Sequence, residues 1–439
     1  MRVLIENRLL GGSVRAIPSK SMAHRHFIAA ALAEAPSRVV CPGMSEDIKA
    51  TMDCLEAMGV MFNRKKSEYE VMSETKKWSA GADEALKLPC KESGSTLRFL
   101  LPVVAALGIK VEFHEEGRLP QRPLSPLYEE LQKHGCRLSP QGVTPLRCQG
   151  KLEAGIYEIP GNISSQFITG LLFALPLLKG DSEIRLTSAL ESARYVDMTL
   201  QVLKQYGVVV SCTEEGFQIP GGQSYLAQQS VQIEGDWSNA AFWLTAAAMG
   251  KKITVTCLDE NSTQGDKKIL DILKRMGAKV EQRDWEATVT PERLDGTDID
   301  AGDIPDLVPI LAAAAAVSRG KTRIYNAGRL RLKESDRLKS VSQVLNGLGG
   351  QVRELEDGLE ITEDRPMVLE WQKDKLKEYA KRIAANGGNP EDYMDIDYTI
   401  SEKKYCSLGD EARKSLNAAG NIRPGCAVIT LTQRETAND

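Results

Sequence analysis

Several short motifs place a cation beside small hydroxyl residues, just before an apolar stretch of helical length. Ser19, Lys20 and Ser21 precede a helix predicted to begin near Ala23, with Arg25 one turn in. The unpaired N–H groups and positive dipole end of a helix start attract anions. A hydroxyl at this position can equally be a plain helix cap. One such motif cannot distinguish an anion-binding site from a helix cap. Recurrence of the motif along the chain would favour a site for phosphate or carboxylate groups.

The pattern recurs at the starts of two further apolar stretches. Residues 92–98 read ESGSTLR, where Ser95 or Thr96 could cap a helix, Gly94 allows close approach of a ligand and Arg98 projects from the first turn. Residues 161–167 offer three contiguous hydrogen-bonding side chains, Ser164, Ser165 and Gln166. Neutral polar groups of this kind suit the hydroxyls of a sugar or cyclitol and phosphate oxygens, with capping as the alternative.

Further charged groups lie in a turn and at two more predicted helix starts. Arg118 and Arg122 flank prolines in residues 117–123, where a stiff turn would present a guanidinium for bidentate contact with an anion. Lys333, Glu334 and Arg337 open a half-exposed helix and could equally be a solvated ion-pair surface. Asp306 stands at the start of an apolar helix, where stabilising the dipole is its ordinary role.

The elements that carry these motifs belong to a repeated unit. Glycines that end an amphipathic helix before a strand are separated by 76, 72, 70 and 72 residues, at Gly59, Gly135, Gly207, Gly277 and Gly349. Such a period is typical of a domain-building unit. Alternating helices and strands predict crossover connections and parallel strand pairs, hence an α/β fold.

Two helix types alternate within the unit. In residues 265–280 the apolar residues Ile269, Ile272, Leu273 and Met276 form one stripe, and Gly277 is predicted to adopt a left-handed conformation at the helix end. The second type, predicted at 96–107 and 305–317, is apolar nearly all round and should be buried on several sides.

The cationic and hydroxyl groups recur at equivalent ends of different repeats. If three repeats build each lobe, these helix starts should converge on one cleft between the lobes.

Composition narrows the functional classes. A chain of 439 residues fits two domains, and a net charge of -4 gives no general attraction to nucleic acid or to an anionic membrane. Nine cysteines without a CxxC motif indicate free thiols in a reducing compartment, and the four histidines lack metal-ligand spacing. The chain shows no signal-peptide pattern and no apolar run of membrane-spanning length. A cytoplasmic protein without nucleic-acid or membrane partners is expected.

Ten ordered motifs between residue 10 and about residue 362 resemble those of the 3-phosphoshikimate 1-carboxyvinyltransferases, also called EPSP synthases. They are PSKSMAHR, SEDI, ESGSTLR, GRLPQRP, SSQFITG, SARYVDMT, EGDWSNAA, NSTQGD, DIPD and LKESDR. The resemblance implies an α/β (α+β) fold of two lobes, each with three βαβαββ units. Lobe I would comprise residues 1–18 and 234–439, and lobe II residues 19–233, with crossings near Ser19 and Glu234.

The resemblance also implies an activity. The enolpyruvyl group of phosphoenolpyruvate would be transferred to the 5-hydroxyl of shikimate 3-phosphate by addition and elimination, with release of phosphate, on the route to chorismate and the aromatic amino acids. The family requires no metal or organic cofactor, and a monomer is expected. A rival is the related enolpyruvyl transferase acting on UDP-N-acetylglucosamine, whose reactive cysteine loop has no counterpart at residues 117–123.

Residue roles are carried over by matching motifs. Asp306, Glu334 and Lys20 would be catalytic, and Asp47 and Arg98 would support the cleft. Phosphoenolpyruvate would be held by Lys20, Gly94, Arg122, Gln166 and Arg337. Shikimate 3-phosphate would be held by Lys20, Ser21, Arg25, Ser164, Ser165, Gln166, Ser192, Tyr195, Asp306 and Lys333.

The C-terminal segment, residues 365–439, departs from the family pattern. The family's sixth repeat contributes an Asp-His-Arg motif and a later lysine to phosphoenolpyruvate binding, whereas no histidine follows His134 here. The segment could be a diverged sixth repeat, a replacement, or a segment with its own partner. An alternative function follows, namely a catalytically impaired homologue that binds a phosphorylated ligand or a partner.

Overall fold

The computed structural model describes residues 11–73, 84–332 and 335–362, together with the backbone of 395–397 and 430–432. The described helices are α1 (Lys20–Leu32), α2 (Glu46–Ala57), α3 (Gly94–Leu107), α4 (Leu127–Lys133), α5 (Ser165–Ala174), α6 (Ala193–Gln205), α7 (Trp237–Met249), α8 (Ile269–Arg275), α9 (Val308–Ala315) and α10 (Arg337–Gly347).

The described strands form small sheets. They are β1 (Gly12–Arg15), β2 (Ser37–Val40), β3 (Met61–Lys65), β4 (Glu68–Met72), β5 (Leu86–Lys91), β6 (Val111–Glu115), β7 (Cys136–Leu138), β8 (Leu146–Gly150), β9 (Ile156–Ile159), β10 (Ser182–Leu186), β11 (Ser211–Cys212), β12 (Gly216–Ile219), β13 (Val231–Gln232), β14 (Ile253–Thr256), β15 (Lys279–Arg283), β16 (Glu286–Thr290), β17 (Asp298–Asp300), β18 (Lys321–Tyr325), β19 (Gln351–Leu355), β20 (Gly358–Thr362), β21 (Asp395–Asp397) and β22 (Thr430–Thr432).

One strand order recurs in five four-stranded sheets of the described chain. In the sheet β5-β6-β8-β7, β5 and β6 are parallel and joined by α3, while the remaining pairs are antiparallel. The same pattern gives β9-β10-β12-β11, β13-β2-β4-β3, β1-β14-β16-β15 and β17-β18-β20-β19. β21 and β22 pair separately. Parallel pairs joined by helices confirm the α/β prediction.

Two of the five sheets take their first strand from a distant part of the chain. β1 pairs with β14 although the chain continues from β1 into α1, and β13 pairs with β2 although it continues into α7. Each connection therefore passes from a strand of one hydrophobic core to a helix of the other. One core holds buried residues between Met22 and Ile233, and the other holds Ala16 and residues between Trp237 and Ile361.

The two connections run side by side. The backbone N–H of Ser19 donates to the Glu234 carbonyl at 2.8 Å, and that of Asp236 donates to the Ile17 carbonyl at 2.8 Å. Pro18 and Gly235 form an isolated antiparallel bridge between these bonds. The starts of α1 and α7 are consequently close together at the junction of the two cores.

The repeated glycines have the predicted backbone conformation. The φ angles are 97°, 97°, 78°, 111° and 89° at Gly59, Gly135, Gly207, Gly277 and Gly349. Positive φ costs a residue with a Cβ atom more than it costs glycine, which is why glycine ends these helices. The stripe of α8 is also buried as predicted, because Ile269, Ile272, Leu273 and Met276 are at most 3% exposed.

Some helix boundaries differ from the sequence prediction. α1 begins at Lys20 rather than near Ala23, because the Ser19 hydroxyl accepts the Met22 N–H at 3.4 Å. Ser93 caps α3 by accepting the Thr96 N–H at 3.3 Å, so neither Ser95 nor Thr96 is the cap. The predicted helix 305–317 divides into a 3₁₀ turn, Pro305–Leu307, and α9. Adjacent serines offer several possible caps, and only tertiary packing selects one.

No helix of the described ranges has the length and apolar character needed to cross a bilayer. The cysteines in these ranges are free thiols, and five of them are buried, at Cys41, Cys54, Cys90, Cys136 and Cys148.

Close packing of α3 against α5 sets the spacing between two of the predicted binding motifs. A Cβ atom added at Gly170 of α5 would overlap the carbonyl oxygen of Arg98 and lie 3.0 Å from the Pro102 ring. Backbone cannot move aside as a flexible side chain can, so the two helices approach this closely only with glycine at the contact.

We expect Gly170→Ala to lower the free energy of unfolding by about 1–3 kcal/mol, because overpacking forces the two helices apart. Urea unfolding followed by circular dichroism measures the change. Gly347→Ala in α10 is the matched control, since a Cβ there meets no atom of the described structure within 4 Å. Equal stability of the Gly170→Ala and wild-type proteins would contradict the packing argument.

Candidate functional site

The predicted polar residues lie at neighbouring helix starts. Lys20, Ser21 and Arg25 are in the first turns of α1, and Asp47 is in the first turn of α2. Gly94 and Arg98 open α3, Ser164 caps α5 through the Gln166 N–H at 3.3 Å, and Ser192 precedes α6. Contacts among these side chains join the helix starts into one cluster, which faces Asp306 and Arg337 of the second core.

Lys20 lies between acidic groups of both cores. Its Nζ is 2.9 Å from Asp47 Oδ2, and its backbone N–H donates to Asp236 Oδ2 at 3.1 Å. Burial lowers the pKa of Lys20, but the charges of Asp47, Asp306 and Asp236 outweigh burial and the net pKa is raised. The side chain keeps 48% of its surface exposed. Lys20 is therefore a charged group that can still reach a ligand.

Arg25 is a buried cation that holds other site elements in place. The residue is 2% exposed, and its guanidinium donates to Thr199 Oγ1 at 2.9 Å, to the Tyr195 carbonyl at 2.8 Å and to the Ser21 carbonyl at 2.8 Å. Burial lowers its pKa to about 10, which leaves the group charged near neutral pH. Arg25 thus fixes the start of α1 against the start of α6.

A second cationic group lies at the start of α3. Arg98 Nη1 donates to Gln166 Oε1 at 2.7 Å, and Gln166 Nε2 donates to Ser95 Oγ at 2.9 Å. A Cβ atom at Gly94 would lie 2.6 Å from Arg122 Nη1 and 3.1 Å from Arg98 Nη1. Glycine therefore allows two guanidinium groups to meet at a helix start, an arrangement suited to phosphate or carboxylate.

Asp306 connects groups of the two cores. The Tyr195 hydroxyl of α6 donates to Asp306 Oδ2 at 2.8 Å, and Arg337 Nη1 of α10 is 2.5 Å from Asp306 Oδ1. Burial and the nearby Asp306 charge raise the pKa of Tyr195 well above its ordinary value, so the hydroxyl stays protonated and donates. Asp306 does more than stabilise a helix dipole, because both of its oxygens are engaged by groups from different elements.

Two further aspartates, which the sequence motifs do not single out, adjoin this cluster. Asp236 caps α7 by accepting the Asn239 N–H at 2.7 Å, and burial raises its pKa against the opposing effects of the Asn239 and Lys20 N–H groups. Asp266 is 2% exposed and accepts a hydrogen bond from Ser238. Burial, followed by the charge of Asp306, raises the pKa of Asp266 to about 8.

Asp236 could have been found in the sequence, because an aspartate directly before an apolar helical stretch is typical of a cap. Asp266 carries no such signal, since its burial results from packing between α7 and the 3₁₀ turn Gly265–Lys268. Lys333 and Glu334 lie outside the described residues, as does nearly all of the segment 365–439.

Within the described ranges, no cluster of three or more His, Cys, Asp or Glu side chains could hold a metal ion.

Comparison with known proteins identifies relatives over most of the chain. A sequence model of the family described as EPSP synthase (3-phosphoshikimate 1-carboxyvinyltransferase) matches residues 6–386. The protein is 43% identical to a 3-phosphoshikimate 1-carboxyvinyltransferase of Clostridium kluyveri over 81% of this chain and 83% of the relative. It is also 43% identical to the same-named protein of Clostridium acetobutylicum over 80% of this chain and 82% of that one.

Solved structures share the fold. An EPSP synthase from Acinetobacter baumannii superposes with a TM-score of 0.69 at 24% identity, covering 82% of this chain and 84% of that chain. The enolpyruvyl transferase NikO from Streptomyces tendae gives a TM-score of 0.61 at 19% identity, covering 80% and 82%.

The buried Asp266 predicts a specific pH dependence of stability. An unfolded aspartate has a pKa of about 4, whereas folding raises the pKa of Asp266 to about 8. The folded chain holds the extra proton between these values, so this group's contribution to stability falls as pH rises through the window. We expect Asp266→Asn to gain stability relative to wild type from pH ~4 to pH ~8, by at most about 1.4 kcal/mol per unit.

Urea unfolding across this pH range measures the difference between the two proteins. Asp271→Asn, which removes an exposed carboxylate from α8, is the matched control. Parallel stability profiles for wild type and Asp266→Asn would show that the Asp266 carboxyl does not titrate differently in the folded state.

Proposed function

The chain belongs to the EPSP synthase family, and on this premise we propose how its residues carry out enolpyruvyl transfer. The reaction joins phosphoenolpyruvate to the 5-hydroxyl of shikimate 3-phosphate and releases phosphate, as a step of the shikimate pathway to aromatic amino acids. The observation that carries the assignment of roles is Asp306, which is hydrogen-bonded to Tyr195 on one side of the cleft and paired with Arg337 on the other.

Shikimate 3-phosphate is proposed to bind against the starts of α1, α5 and α6. Ser164 and Ser165 supply hydroxyls, and Gln166 supplies an amide, while Arg25 supplies a charge held in place by protein acceptors. Ser21 and Ser192 lie at the adjoining helix starts. By resemblance Lys333 also belongs to this set.

Phosphoenolpyruvate is proposed to bind between Lys20, Arg122 and Arg337, close to the Gly94 backbone. Its carboxylate and phosphate need several cations, because two anionic substrates repel each other in a cleft of reduced dielectric constant. In the structure Lys20 and Arg337 are paired with Asp47 and Asp306. The incoming anions would draw these cations partly away from their aspartate partners. Gln166 adjoins both substrate positions through its bond to Arg98.

Two opposite proton transfers accompany the chemistry. In the addition step the 5-hydroxyl loses a proton as its oxygen bonds to the enol carbon, and the methylene carbon gains one. In the elimination step the new methyl group loses a proton and the carbon–oxygen bond to phosphate breaks. Asp306 is proposed to accept the hydroxyl proton, with Tyr195 holding the carboxylate in place while phosphoenolpyruvate draws Arg337 partly away from it. Glu334 is the second acid–base group by resemblance, and Lys20 stabilises charge that develops at the reacting centre.

The lobe division is also proposed, with lobe I comprising residues 1–18 and 234–439 and lobe II comprising residues 19–233. The two hydrophobic cores and the paired connections at Ser19 and Glu234 support it. The contact between Tyr195 and Asp306 then joins the lobes, and closure around substrate would exclude water. A monomer contains both sides of this cleft.

We expect the purified protein to release phosphate when shikimate 3-phosphate and phosphoenolpyruvate are mixed, and to release none when UDP-N-acetylglucosamine replaces shikimate 3-phosphate. A coupled phosphate assay measures both reactions. Binding of shikimate 3-phosphate without turnover would instead favour the impaired-homologue alternative, with the altered segment 365–439 as its cause.

Arg122→Lys tests the phosphoenolpyruvate site. A lysine keeps the charge but loses the planar pair of donors, so we expect the KM for phosphoenolpyruvate to rise about tenfold or more while the Kd for shikimate 3-phosphate changes little. Steady-state kinetics and calorimetry supply the two values. Arg118→Lys is the control, because Arg118 lies in the same turn and is exposed. An equal rise in KM for both variants would argue against a special role for Arg122.

A further inference from the structure

Gln264 ties together the two connections between the cores. It lies in the loop between β14 and α8 and is 7% exposed. Its Oε1 accepts hydrogen bonds from the Ser19 hydroxyl at 3.0 Å and from the Trp237 N–H at 3.2 Å, and its Nε2 donates to the Gly235 carbonyl at 2.9 Å. One buried amide therefore contacts the residue before α1, the first residue of α7 and the crossing strand between them.

The orientation of this amide is determined by its backbone partners. The Trp237 N–H can only donate and the Gly235 carbonyl can only accept, so exchange of Oε1 and Nε2 would break both bonds. The Ser19 hydroxyl must then donate to Oε1, which leaves its lone pairs to accept the Met22 N–H. The cap of α1 is thereby linked to the position of Gln264.

Lys20 is the residue that this arrangement holds. It directly follows Ser19, and its own N–H donates to Asp236 Oδ2 while Asp236 Oδ1 caps α7. The start of α1 is therefore fixed at Ser19 by Gln264 and at Lys20 by Asp236. Both of these side chains belong to the other core, so the backbone of Lys20 is placed in the cleft by groups of the opposite side.

We propose that Gln264 is a positioning residue for the transfer reaction, acting through Ser19 to fix Lys20 against the reacting atoms. This inference rests on the proposed function, in which Lys20 contacts phosphoenolpyruvate. Gln264 does not contact the side chains of α5 and α6 that are assigned to shikimate 3-phosphate, and it reaches that substrate's site only through the start of α1, which carries Lys20 and Ser21. Loss of the amide should therefore reduce the rate of chemistry by a larger factor than it weakens shikimate 3-phosphate binding, because Arg25 and the starts of α5 and α6 keep their own contacts.

Gln264→Met tests the proposal, since methionine keeps the length and shape of the side chain but removes the hydrogen bonds of the amide, including the one to the buried Glu234 carboxyl. We expect kcat to fall about 10–100-fold, as misplacement of a catalytic group by about 1 Å can cost a factor of this size. We expect the Kd for shikimate 3-phosphate, measured by calorimetry, to rise by a clearly smaller factor than kcat falls. Ser19→Ala should lower kcat as well. The double variant should be no slower than the slower single variant, because both changes break the same chain of hydrogen bonds from Gln264 through Ser19 to the start of α1.

Gln223→Met is the matched control. The Gln223 side chain also hydrogen-bonds backbone groups, at Val209 and Pro220, but these bonds are exposed and lie outside the junction of the two cores. Its replacement should leave kcat unchanged. An unchanged kcat in Gln264→Met would overturn the proposal. So would a loss of kcat matched by an equal loss of shikimate 3-phosphate binding sites, because that result indicates unfolding alone.

Hydrogen exchange separates failure of this inference from failure of the proposed function. Wild-type protein that releases no phosphate would refute the proposed function directly. In that case hydrogen exchange at the Lys20 and Trp237 amides still tests whether Gln264 fixes the start of α1. Faster exchange there in Gln264→Met, with unchanged exchange in β6, supports the link from Gln264 to Lys20. Unchanged exchange at both amides overturns it.

Discussion

The site depends on one electrostatic constraint, the approach of two helix starts at the junction of the cores. The N-termini of α1 and α7 carry partial positive charge, and their meeting would be repulsive without an anion between them. Asp236 supplies that anion, because one carboxylate oxygen caps α7 and the other accepts the N–H of Lys20. Hydrogen bonds to Asp236 therefore join the two helix starts in place of the repulsion. The remaining helix starts are arranged around this junction.

Burial then divides the charged groups into two kinds. Arg25 is fully committed to protein acceptors and acts as a fixed positive charge. Lys20 and Arg337 are paired with carboxylates but partly exposed, so an incoming anion can compete for them. Asp266 lies deeper, where losing a proton is costly. The cluster thus combines cations that can exchange partners with a framework whose charges are fixed, as the proposed binding of two anionic substrates requires.

The sequence allowed prediction of the repeat, the α/β class and the helix-end glycines, because these depend on local periodicity and backbone conformation. Motif types also predicted most of the polar cluster, including Asp306 and Arg337. The cap of α3 was predicted wrongly, because Ser93, Ser95 and Thr96 are chemically similar and only packing distinguishes them. Gln264 and Asp266 were missed as individual residues, since their importance comes from burial between elements far apart in the chain. Lys333 and Glu334 remain predictions.

The pairing of β1 with β14 has a consequence for biosynthesis. Partner residues Gly12 and Ile253 are separated by 241 positions, so β1 leaves the ribosome long before its neighbour exists. At ordinary translation rates that interval is roughly 10–50 s. The whole of the first core can form meanwhile, since its strands and helices are encoded between the two. β1 can stay unpaired during this interval with little tendency to aggregate, because the sequence GSVR contains a single apolar residue and offers little apolar surface to another unfolded chain.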